Sequence, residues 1–123
     1  MIQALEIMFN KQNELQERLG FDVSKMTQQE KTAYMKEHMW YMITELDEAF
    51  REMPYGKPWK KYDNFDMDLH AENLKEELVD VFHFFMNVML AAGMNAQDLF
   101  DIYCKKNAIN HNRQDNNYGA NER

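Results

Sequence analysis

Residues 27–53 read TQQEKTAYMKEHMWYMITELDEAFREM, and this stretch decides the fold. Thr27 followed by Glu30 makes a capping box, the reciprocal hydrogen-bonding pattern that opens a helix. Behind it Met35, Met39, Met42, Ile43, Leu46, Ala49, Phe50 and Met53 recur at steps of three and four, the period of a helix with one apolar side. Pro54 and Gly56 then end it. A helix of this length with one apolar side needs other helices to cover it, so the search for partners works outward from here.

Upstream, Ile2 to Leu19 carries a looser apolar set (Leu5, Ile7, Met8, Leu15, Leu19) and stops at Gly20. Downstream, residues 54–69 form one long connection, PYGKPWKKYDNFDMDL. It holds both prolines, a basic aromatic piece (Lys57, Trp59, Lys60, Lys61, Tyr62) and an acidic piece (Asp63, Asp66, Asp68). A connection this long inside a small domain is either mobile or functional. A third helix is expected from about His70 to Ala92, with Leu74, Leu78, Val81, Phe82, Phe85, Val88 and Met89 toward the core. Gly93 closes it, and Asn95 caps a fourth helix through about His111. The expectation is a single all-α domain over residues 1–123, four-helix-bundle-like.

Composition agrees. The chain of 123 residues holds 4 glycines and 2 prolines, too few for a sandwich or barrel that turns every ten residues. One cysteine, Cys104, excludes an intrachain disulfide and a zinc-finger set. With 21 acidic against 14 basic side chains, the net charge is −7. Such a chain does not coat a phosphate backbone, so nucleic acid is not an expected partner. The start lacks a basic n-region and a long apolar run, and the apolar stretch near Phe84 and Met89 is too short for a bilayer. No membrane partner and a cytoplasmic location are therefore expected. The 11 methionines fall mostly at core spacing, where Met is a flexible filler.

Chemistry concentrates in two acidic pairs. Glu45-Leu46-Asp47-Glu48 and Glu77-Leu78-Val79-Asp80 each place acids at i and i+3, on one helix face. The intervening leucines are expected on the buried side. Tyr41, Glu45, Glu48 and Glu52 run beside the apolar stripe of the second helix. Asn73, Glu77, Asp80, His83/Phe84 and Asn87 do so on the third. In an antiparallel pair the four carboxylates converge, and converging carboxylates need a cation. Oxygen-only ligation favours Mg²⁺ or Mn²⁺. Lys57, Lys60 and Lys61 lie between the acidic helices. Lys106 and Arg113, seven residues apart, share a helix side with Asn110. Carboxylates with metals beside such donors suit a di- or triphosphate.

Here the pattern resembles the dimeric all-α dUTP diphosphatases, members of the MazG-like NTP pyrophosphohydrolase superfamily. E-x-x-E (Glu45/Glu48) and E-x-x-D (Glu77/Asp80) match the superfamily signature. EELVDVFHFFMN at 76–87 resembles the second acidic motif with its His-Phe. KNAINHNRQDNNYG at 106–119 resembles the dUTPase K-N-x-x-N-x-x-R-Q-x-x-x-Y element. Gln12, Gln16 and Trp59-Lys60 are weaker matches. The resemblance implies that Glu45, Glu48, Glu77 and Asp80 ligate two or more Mg²⁺ ions, with Mn²⁺ as a substitute, and that Glu48 also orients the attacking water. It implies that Lys60, Lys106, Asn110, Arg113 and Tyr118 hold the phosphates. Gln12, Gln16, Trp40, His83, Phe84 and Asn87 would line the nucleoside pocket, with Phe84 on the sugar where a 2′-hydroxyl would clash. The implied reaction is dUTP to dUMP and diphosphate, by a homodimer.

Three other readings compete. A MazG-like enzyme acting on dCTP or another deoxynucleotide keeps the same acids. A di-iron bundle requires Glu-x-x-His on two helices; Asp80-Val81-Phe82-His83 imitates one, but Glu48 is followed three residues on by Arg51. A non-enzymatic helical interaction module leaves the acids merely solvated.

Overall fold

The computed structural model describes residues 2–116. Four helices follow in order: α1 (Ile2–Arg18), α2 (Gln28–Arg51), α3 (Met67–Ala91) and α4 (Ala96–Asp115), with a short 3₁₀ turn at Val23–Lys25 before α2. No strand occurs among the described residues.

The local signals explain the boundaries. Thr27 Oγ1 accepts from the Glu30 amide at 3.1 Å while the Glu30 carboxylate accepts from the Thr27 amide at 2.9 Å. Asn95 and Asp98 make the same reciprocal cap at the start of α4. Helix α3 begins three residues before the expected His70, because Asp66 Oδ1 accepts from the Leu69 amide at 3.0 Å and caps it there. Gly20 (φ 95°) and Gly93 (φ 85°) end α1 and α3. Each lets the next amide reach back five residues, Phe21 N to Gln16 O and Met94 N to Met89 O, a turn that requires the left-handed conformation.

α2 and α3 lie antiparallel. His38 meets Asn87, Tyr41 meets Phe84 and Glu52 meets His70, so the α3 partner falls in number as the α2 residue rises. Phe9, Met86, Met89 and Ala96 form the core, with Leu5, Phe82, Leu90, Met94 and Leu99 packed around them. This core lies among α1, the second half of α3 and the start of α4.

The fourth helix does not close a bundle. Its axis turns about 100° from α3, it packs on α1, and every described residue from Phe100 onward is exposed. Two apolar assignments are also corrected. On α1 the inward side is Leu5, Phe9, Gln12 and Gln16, whereas Ile7, Met8, Leu15 and Leu19 are exposed. On α2 and α3, Leu46 and Leu78 are about half exposed rather than buried, as are Met39, Ile43, Phe50 and Phe85. The faces that α2 and α3 turn to each other carry polar and aromatic side chains, which leaves part of the apolar stripe outside. Among the described residues no single helix is long and apolar enough to cross a membrane.

Candidate active site

The α2–α3 seam has a regular register. Tyr34, His38, Tyr41, Glu45, Glu48 and Glu52 recur at alternating steps of four and three on α2, and His70, Asn73, Glu77, Asp80, Phe84 and Asn87 do so on α3. That spacing keeps one helix side facing the other over several turns.

The middle of the seam is acidic. Glu45, Glu48 and Glu77 each place one carboxylate oxygen within 4.8 Å of the other two. Asp80 stands outside this trio, one turn along α3, yet its charge reaches Glu45. Partial burial pushes the Glu45 carboxyl up, and the charges of Glu48 and Asp80 add to the effect. Glu77 is pushed up to about 7, first by desolvation and then by the carboxyls of Glu48 and Glu45. Its Oε2 atom is buried without a hydrogen-bond partner. A stranded carboxylate oxygen beside two further carboxylates is a costly arrangement for a protein alone and a fitting one for a hard divalent cation. The donor set therefore fits Mg²⁺ or Mn²⁺.

Toward the start of α2 the seam turns aromatic and then amide-rich. The Tyr41 and Phe84 rings lie 5.4 Å apart, and His38 sits 5.2 Å from Tyr41 and 5.7 Å from Phe84. Behind them Asn87 Nδ2 donates to His38 Nδ1 at 3.2 Å, and Gln12 Nε2 donates to Asn87 Oδ1 at 2.8 Å. Tyr34 donates its hydroxyl hydrogen to Gln16 Oε1 at 2.9 Å. All five polar residues of this network are buried. Burial pushes the Tyr34 phenol up to about 12, so it remains a donor. Seven residues of helix separate His38 from Glu45, about 10 Å along the axis.

At the other end, His70 pairs with Glu52 and stacks on Phe65 at 4.0 Å. Phe65 meets Tyr62 at 5.7 Å, and Tyr62 meets Tyr55 at 5.2 Å. This chain of rings ties the 52–66 connection, with Lys60 5.8 Å above the Tyr62 ring, to the helix pair.

The structure thus brings together Glu45, Glu48 and Glu77, with Asp80 adjacent, and separately Gln12 with Asn87, near Phe84. Gln16 joins the same buried region through Tyr34. Trp40, 62% exposed, and His83 lie on exposed sides of their helices. Lys60 is exposed on the connection. Lys106, Asn110 and Arg113 are exposed on the outlying part of α4, which packs on α1 rather than across the acidic seam. Tyr118 lies outside the described residues. Sequence reading missed His38 and Tyr34. The signal was present: they continue the Tyr41–Glu45–Glu48 line backward by three and then four residues.

The dUTPase family model matches residues 4–96 and 85–118. A dCTP pyrophosphatase of Enterobacteria phage LZ5 is 34% identical, over 95% of this chain and 84% of its own length. A dCTP pyrophosphatase of Enterobacteria phage T4 is 35% identical over 63% of this chain, which spans about half of that protein's length (52%). No solved structure matches. With nearly the whole chain matched by the family model, the protein belongs to the all-α dUTPase family.

Proposed function

We propose that this protein hydrolyses a pyrimidine deoxynucleoside triphosphate to the monophosphate and diphosphate, with dCTP as the favoured substrate. The observation that carries the hydrolytic reading is the convergence of Glu45, Glu48 and Glu77, with Glu77 Oε2 buried and unpartnered. The names of the phage relatives favour cytosine over the uracil that the motif resemblance implies. The family's own description keeps dUTP as the second reading.

Glu45, Glu48 and Glu77, with Asp80 beside them, would hold divalent ions. Bound there, Mg²⁺ supplies positive charge against the phosphate oxygens and favours ionisation of water. Glu48, the exposed member of the trio, would accept the proton of the attacking water as general base. The Tyr41–Phe84 ring pair offers an apolar face to a deoxyribose, and the His38–Asn87–Gln12 network lies where the base follows. Order along the seam therefore matches the order within a nucleotide: phosphates, sugar, base. Lys60, Lys106, Asn110, Arg113 and Tyr118 are the proposed phosphate-binding donors. Lys106, Asn110 and Arg113, on the exposed part of α4, require either closure of that helix over the seam or its supply by a second subunit.

A homodimer is part of the same reading. Met39, Ile43, Leu46 and Phe50 follow heptad spacing along α2 and are 47–57% exposed. A second copy of the chain supplies a matching stripe about a two-fold axis.

Diphosphate release from dCTP, dUTP, dTTP and UTP, with Mg²⁺ and with chelator, tests the proposal. Metal-dependent release from a pyrimidine dNTP, with UTP poor, is expected. No release from any dNTP in Mg²⁺ would reject it. Release with dCTP unremarkable among the dNTPs would reject the base assignment alone.

A further inference from the structure

His38 belongs to no acidic motif and touches no candidate metal ligand, yet it anchors a directional hydrogen-bond chain. An amide nitrogen can only donate. Asn87 Nδ2, 3.2 Å from His38 Nδ1, therefore fixes that ring nitrogen as the acceptor and leaves the ring proton on Nε2. With its nitrogen committed to His38, Asn87 turns its oxygen to Gln12, which donates from Nε2 at 2.8 Å. Gln12 in turn has its own oxygen directed away from Asn87. Burial holds His38 below the ordinary histidine range, which favours the neutral ring that this chain requires.

An isolated glutamine at a base edge discriminates poorly, because rotating its amide exchanges donor and acceptor. A glutamine whose amide is locked does discriminate. Cytosine carries an exocyclic amine at position 4, where uracil carries a carbonyl, and the protonation of N3 is inverted between them. We propose that His38 is a specificity-determining positioning residue: through Asn87 it locks the Gln12 amide oxygen toward the nucleoside groove, and this fixed acceptor separates amino-pyrimidine from oxo-pyrimidine deoxynucleotides. The inference rests on the nucleotide lying in the α2–α3 seam as proposed above.

Two measurements test it. The first is the ratio of kcat/KM for dCTP and dUTP in the wild type and in His38→Phe, which keeps an aromatic ring but removes the acceptor. The wild type should prefer dCTP, whose amine the locked oxygen accepts from, by roughly tenfold or more, and the preference should fall toward unity in the variant, chiefly through KM for dCTP. Equal losses on both substrates with an unchanged ratio, or a wild type indifferent to the base, would overturn the inference and leave the hydrolase reading intact. Absence of all turnover in the wild type would sink the hydrolase reading itself. The second measurement needs no variant to fold. Nitrogen NMR of histidine-labelled wild type should find Nδ1 of His38 unprotonated and Nε2 protonated; the opposite tautomer would overturn the lock.

Discussion

Glu48 on α2 and Glu77 on α3 face each other across the helix seam with carboxylate oxygens within 4.8 Å, and Glu45 completes the group at the same range. Among the described residues no hydrogen-bond partner meets the buried Glu77 Oε2 atom. The two helices are therefore held together against local like-charge repulsion, by packing elsewhere along the seam and in the core.

Replacing Glu77 with glutamine should separate stability from activity. In chelator the variant should melt at a higher temperature than the wild type, because one of three crowded carboxylates is gone. Mg²⁺ should raise the melting temperature of the wild type by binding the native state alone, and the variant much less. Turnover should fall on the order of a hundredfold or more. Thermal melts with and without Mg²⁺, alongside diphosphate release, check all three. A variant with wild-type Mg²⁺ stabilisation would remove Glu77 from the metal set.

The acids were legible because E-x-x-E and E-x-x-D fall on one helix side whatever surrounds them. The starts of α2 and α4 were legible because capping is local: Thr27 with Glu30, and Asn95 at the head of α4, need no tertiary contact. Gln12 and Gln16 were legible only through the family resemblance. Periodicity placed Ile7, Met8, Leu15 and Leu19 among the apolar positions of α1, while the buried side carries two glutamines whose partners, Asn87 and Tyr34, lie on other helices. A polar side chain is stable inside when a distant residue completes its hydrogen bonds, and sequence spacing cannot show that. The same limit hid the departure of α4 and the exposure of the α2 stripe, both set by which faces α2 and α3 turn to each other.

His38 predicts a pH dependence of stability. Tyr34, Tyr41 and Glu37 lie near it on α2, Phe84 and Asn87 face it from α3, and Gln12 stands behind Asn87 on α1; of these only the Glu37 charge favours the imidazolium, and burial outweighs it. The folded-state value lies below the ordinary 6.5. As pH falls below 6.5 the unfolded chain takes up a proton that the folded chain refuses, so this contribution to stability is present above 6.5 and is lost on acidification. Urea denaturation across this range should show a steeper loss for wild type than for His38→Phe. Parallel curves would mean that His38 titrates alike in both states.

The 52–66 connection should be released by a single substitution. Phe65 stacks on His70, His70 pairs with Glu52, and Tyr62 and Tyr55 extend from Phe65. Phe65→Ala removes the ring at the centre of this chain, a loss of about 1 kcal/mol or more from aromatic contact. Limited proteolysis near Lys57, Lys60 and Lys61 should then accelerate while the helical circular dichroism signal is kept. If Lys60 holds the phosphates, KM for the triphosphate should rise more than kcat falls. Unchanged cleavage rates would mean that the rings do not tether the connection.

The exposed α2 stripe makes the last prediction. Ile43 and Leu46 lie at its centre, each more than half exposed and flanked by Met39 and Phe50. Scattered surface leucines are ordinary, but four large apolar side chains at heptad spacing on one helix form a continuous strip, and a strip of that kind marks an interface. If a second copy covers it, an aspartate at the centre is desolvated twice, once per subunit, at a cost on the order of several kcal/mol. Ile43→Asp and Leu46→Asp should each convert a dimer to a monomer in sedimentation velocity. In an exposed strip the same substitutions should instead leave the mass unchanged and the melting temperature within a degree or two of wild type. Activity distinguishes a further case. If the monomeric variants fold but lose turnover, the neighbouring subunit lends residues to the seam, and Lys106, Asn110 and Arg113, which stand off the acidic trio within one chain, are the donors to examine.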